Sequence, residues 1–133
     1  MPEKVCLQPC LGLRKEAVVG RQALYVVYED LRPDVTVLGC GPALNANVQE
    51  DVDFINMFPV IAVEACDKDC ATRLVAKKGK RAARTVRVVE LAEREKIDLS
   101  TVPEGENIPA DHPAVQAVAA RIAAMVDELL GGA

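Results

Sequence analysis

Five cysteines, Cys6, Cys10, Cys40, Cys66 and Cys70, are the residues of this 133-residue chain best suited to chemistry. Their number is odd. The opening Met-Pro-Glu-Lys-Val-Cys has neither the basic flank nor the long apolar stretch of a secretion signal, so a cytoplasmic location is expected. A reducing cytoplasm disfavours structural disulfides. The expectations are therefore metal ligation or thiol chemistry, set against buried cysteine acting as a small hydrophobe. Two of the five stand close together in Glu64-Ala-Cys-Asp-Lys-Asp-Cys70. They fall where an apolar run ends as a buried strand and a helix, closed by Gly79, begins. Unpaired N–H groups and the positive end of a helix favour thiolate there, and Cys66 is expected to be the most acidic of the five.

These sulfurs can act together only if the fold gathers them. Apolar runs predict strands at residues 4–7, 35–38, 60–65 and 85–90. Helical spacing predicts a helix over 16–31, apolar nearly all round, and a short one within 45–57. A third covers 71–78, a helical turn 91–97, and a last helix follows the loop 98–113 with Asp111 as its cap. Strands alternating with helices imply parallel pairing, so the expected fold class is α/β, a three-layer sandwich around a small, mostly parallel sheet of about four strands. One domain spans residues 1–133. In such a sheet the carboxyl ends of the first three strands share an edge, where open α/β sheets place their ligands. Cys10, Cys40 and the Cys66–Cys70 pair follow those three strands. Cys6 lies within the first strand and is the odd one out.

Composition narrows the class further. The net charge of −4 argues against binding dominated by nucleic acid, and no run approaches the length of a membrane span. With no Trp, two Tyr and two Phe, the core must be aliphatic. Arg73, Lys77, Lys78, Lys80, Arg81, Arg84 and Arg87 form a basic run without an acid among them. It lacks aromatics for base stacking, so a solvated face is expected, with an acidic protein partner as the lesser reading.

Cys10, Cys40, Cys66 and Cys70 match the thiolate count of a closed zinc site. The same four could hold an iron–sulfur cluster or work in redox or sulfur transfer. Arg14, Lys15 and Lys68 could offset the negative charge of a four-thiolate centre. Cys-Leu-Gly12, Gly20-Arg-Gln-Ala23 and Glu64-Ala-Cys-Asp-Lys-Asp-Cys-Ala71 together resemble the DGC domain over roughly residues 4–100. That resemblance implies one zinc ion held by Cys10, Cys40, Cys66 and Cys70. The naming triplet Asp-Gly-Cys reads Glu64-Ala65-Cys66 here, and the Cβ of Ala65 predicts a backbone without positive φ.

Other motifs point to no reaction. Gly39-Cys-Gly41 lacks the third glycine of a dinucleotide loop and reads as a tight turn. No cysteine is followed six residues later by Arg, which removes the phosphatase loop. His112, the single histidine, precedes Pro113 at a helix start and reads as capping context rather than a ligand. Ser100, the single serine, lies in a loop without an elbow motif. Glu64 could accept a proton beside a metal with an open position, against the plainer reading of a carboxylate at the solvent edge.

Overall fold

The computed structural model describes residues 2–131. Four parallel strands, β1 (Val5–Pro9), β2 (Thr36–Leu38), β3 (Val60–Glu64) and β4 (Arg84–Arg87), form one sheet in the order β2-β1-β3-β4. Six α-helices, α1 (Lys15–Val26), α2 (Gly41–Asn45), α3 (Gln49–Met57), α4 (Cys70–Lys77), α5 (Val88–Glu95) and α6 (Pro113–Leu129), cover both faces. The α/β fold class is thus observed, with 49% of the chain helical and 13% in strands.

Strand alternation sorts the two cores. Val5, Leu7, Ile61 and Val63 face α1 and α6 with Val19, Leu24, Val118 and Ile122. Cys6 and Val60 face the other way, onto Leu44, Ile55 and Val75 of α2, α3 and α4. Helix α1 is apolar nearly all round because the sheet lies beneath it and α6 lies over it. Gly20 makes that closeness possible: a Cβ there would stand 3.0 Å from Val63 Cγ1.

Several boundaries differ from the sequence expectation. The long first helix changes to a π turn, Val27–Leu31, before Arg32 and Pro33 end it. Residues 45–57 hold parts of two helices, since Pro42 sits in the first turn of α2. Gly39-Cys40-Gly41, expected as a tight turn, runs straight into that helix, which starts at Gly41. The fourth strand stops at Arg87, and α5 starts at once because Val88 and Leu91 turn into the core at helical spacing. The last helix is capped by His112, whose Nδ1 accepts the Ala114 N–H at 3.0 Å; Asp111 does not cap it.

Candidate metal centre

Parallel register brings the cysteine-bearing segments to one edge. Leu7 pairs with Leu38 and Pro9 with Val63, and the Cys10 N–H continues the ladder to Val63 O at 2.8 Å. Cys10 therefore sits just past the end of β1, Cys40 two residues past β2, and Cys66 two residues past β3.

The side chains around these sulfurs fix the loops that carry them. Arg21 reaches from α1 to donate to Gly12 O at 2.6 Å and Cys10 O at 3.3 Å, which pins the turn after β1. The Gly12 N–H donates to Cys10 Sγ at 3.4 Å. Asp51, buried in α3, accepts the Cys40 N–H at 2.9 Å. Asp69 adopts the left-handed conformation at φ 53°, where aspartate is tolerated, and its carboxylate takes both arms of Arg87 at 2.7 and 2.6 Å. That fork ties the turn between Cys66 and Cys70 to the end of β4. Arg87 holds the Asp69 carboxyl below its usual range.

Glu64 overturns the solvent-edge reading. It is 1% exposed, and its carboxylate accepts the Ala71 N–H at 3.1 Å, the Thr72 N–H at 2.7 Å and the Thr72 hydroxyl at 2.7 Å. It thus caps α4 from the end of β3, using the free amides expected to favour a thiolate. Helix α4 begins at Cys70, so Cys66 lies four residues before it. Although Cys70 as a residue is exposed, the protein about its sulfur desolvates it and raises the thiol pKa. Cys10, Glu64 and Cys66 raise it further, and Lys68 opposes them. Ala65 keeps a negative φ, as its Cβ predicts.

The four sulfurs do not open on a single hollow. Cys10 and Cys70 line one cleft of about 280 Å³ with Leu11, Gly41 and Leu74. Cys40 lines a neighbouring cleft of about 240 Å³ beside Arg21 and Tyr25, and Pro9 and Leu11 belong to both. Cys66 lines a third with Arg14, Asp67 and Glu90. Leu11 and Leu13 stand exposed at this edge. Among the described residues, no group of three or more His, Cys, Asp or Glu is arranged to hold a metal ion. All five cysteines are free. Cys6 is fully buried, and burial, then the charge of Asp51, pushes its thiol up to about 12. Lys15, expected near the cysteines, donates to Leu99 O at 3.3 Å instead.

The sequence model of the DGC domain matches residues 6–112. The chain belongs to the DGC domain family. A comparison with curated proteins found no match, and neither did one with solved structures. The DGC match stops just before α6, although α6 supplies Val115, Val118, Ile122 and Val126 to the core. Two DGC motif stretches now have physical reasons: Gly20-Arg21 lets α1 lie on β3 and holds the Cys10 loop, while Glu64 caps the helix that carries Cys70. For zinc, the donors fit by type, since thiolates are its commonest structural ligands. Of the four, Cys10 and Cys70 line one cleft together, while Cys40 and Cys66 line two others.

Sequence reasoning missed Asp51 and Gln8 as parts of this edge. Gln8 is 1% exposed, and its Nε2 has no hydrogen-bond partner among the described residues. Its signal was present in the alternation of Cys6 and Gln8, which puts both on one face of β1.

Proposed function

We propose that this DGC domain binds one zinc ion through the thiolates of Cys10, Cys40, Cys66 and Cys70, in the cytoplasm, where a reducing thiol pool keeps such sulfurs free. The observation that carries the reading is the meeting of three parallel strand ends, each followed within two residues by a cysteine, with Cys10 and Cys70 lining one cleft. Four thiolates would close the coordination of the ion, which then ties three chain segments together and serves structure rather than catalysis. The chain's own part is to hold the loops: Arg21 and Gly12 fix Cys10, Asp51 fixes the backbone of Cys40, and the Asp69–Arg87 fork with Glu64 fixes the turn leading into Cys70. Arg14 beside Cys66 and Lys68 near Cys70 offset part of the thiolate charge.

Elemental analysis of anaerobically purified protein tests this. The expected result is about one zinc per chain, lost in Cys66→Ser and kept in Cys6→Ser. Metal-free wild-type protein, or a Cys6→Ser variant that loses its metal, would overturn the ligand set. A brown protein with visible absorption would replace zinc by an iron–sulfur cluster on the same thiols.

A further inference from the structure

The cleft beside Cys40 is walled by apolar side chains and one cation. The chain leaves β1 for α1 on one face of the sheet and leaves β2 for α2 on the other. Between the two departing loops opens a hollow of about 240 Å³, lined by Pro9, Leu11, Leu24, Tyr25 and Leu38. It lies at the carboxyl ends of the strands, where open α/β sheets take their ligands. An engineered cavity of about 150 Å³ accommodates benzene, so this space suits one small ring or a short branched chain. Arg21 is the only charged side chain in the lining. Its Nη1 donates to Gly12 O and Cys10 O, while Nε and Nη2 donate to no described residue. Nor does Arg21 belong to any ion pair among the described residues. Two other arginines show what that free edge does when a carboxylate is present: Arg87 grips Asp69, and Arg32 grips Asp127, each through Nε and Nη2.

We propose that this cleft binds a small apolar monocarboxylate, its hydrocarbon part against Leu11, Leu24, Leu38 and the Tyr25 ring, its carboxylate on the free edge of Arg21. Holding the turn after β1 takes only Nη1, which leaves the charge and the fork over. A cation among apolar side chains attracts an anion more strongly than one in open water, and the guanidinium fork matches a carboxylate in two parallel hydrogen bonds. A phosphate, with about two negative charges and three acceptor oxygens, would meet one fork and apolar walls, so the carboxylate is the better fit. The inference does not rest on the zinc reading, since it needs no ligand from any sulfur.

The test titrates the full chain, as purified, with phenylacetate, with its neutral isostere phenylacetamide and with acetate, following side-chain methyl signals by NMR. Phenylacetate is expected to shift the methyls of Leu11, Leu24 and Leu38, and to bind about tenfold more tightly than either of the others. Arg21→Lys keeps a cation that can still reach the turn but loses the fork. It should weaken phenylacetate about tenfold and leave phenylacetamide unchanged. Leu11→Trp, at an exposed position, fills the hollow with Arg21 in place and should weaken both aromatic compounds alike. Cleft methyls unmoved by phenylacetate at its solubility limit, or shifts that fall on the basic run 73–87 instead, overturn the site. Equal affinity for phenylacetate and phenylacetamide in the wild type, or their equal loss in Arg21→Lys, leaves Arg21 a tie for the turn and overturns the proposal. Should Arg21→Lys fail to fold, the comparison of the two compounds on the wild type decides.

Discussion

Glu64 illustrates how one residue can be visible in a sequence and misread there. A carboxylate ending an apolar run suggests the solvent edge, yet alternation with Val60 and Ala62 turns it inward, onto the first turn of α4. Replacing it with Gln leaves one acceptor where there were two and puts an amide N–H₂ among donors. Glu64→Gln is expected to lower the urea midpoint at unchanged slope, by about 2 kcal/mol of stability. A midpoint equal to wild type would show that the cap is dispensable. Gly20→Ala makes a second case at this scale. Its Cβ would meet Val63 Cγ1 at 3.0 Å and Val88 Cγ2 at 3.4 Å, so helix and sheet must part slightly, at a cost of about 1 kcal/mol or more.

Between elements, two forked ion pairs act as ties. Arg87 at the end of β4 grips Asp69 before α4, and Arg32 after the π turn grips Asp127 in α6 at 2.7 Å on both oxygens. In each, the hydrogen bonds and charge of Arg hold the Asp carboxyl below its usual range. A lowered folded-state pKa makes the contribution whole above the ordinary aspartate value near pH 3.9, and removes it as pH falls from there through the folded value. Wild-type stability should therefore decline in that acid window, and Asp69→Asn should decline less steeply there while starting lower at neutral pH. Parallel acid limbs in the two proteins would count against the tie. At neutral pH a double-mutant cycle of Asp69→Asn with Arg87→Met is expected to give a coupling of about 1 kcal/mol, since the geometry is bidentate but part of it is exposed.

For the molecule as a whole, binding of an ion by three loops at once must couple to global stability. Zinc at about 100 times its dissociation constant would add about 2.7 kcal/mol, so a strong chelator should lower the melting temperature and excess zinc restore it. A melt indifferent to both would remove the structural role. Helix α6 matters equally at this scale. It lies beyond the DGC match yet covers α1 through Val115, Val118, Ile122 and Val126. A chain cut after His112 should lose cooperative unfolding. The described residues contain no helix long and apolar enough to cross a membrane.

The alternation of strand and helix patterns by itself determined the parallel α/β sheet, because buried strands and helices leave different hydrophobic periods in a chain. It also determined that Cys10, Cys40 and Cys66 follow strand ends while Cys6 is interior, since strand length and alternation are local properties. Tertiary structure alone decided what those sulfurs have around them. Whether the free amides of α4 go to a thiolate or to Glu64 depends on where the helix starts relative to β3. Whether Cys40 shares a cleft with Cys10 depends on how loops distant in sequence pack around Pro9 and Leu11, which line both clefts. That the Gln8 amide lies over Gly39 follows from the β1–β2 register, a contact between residues 31 positions apart that no local pattern records.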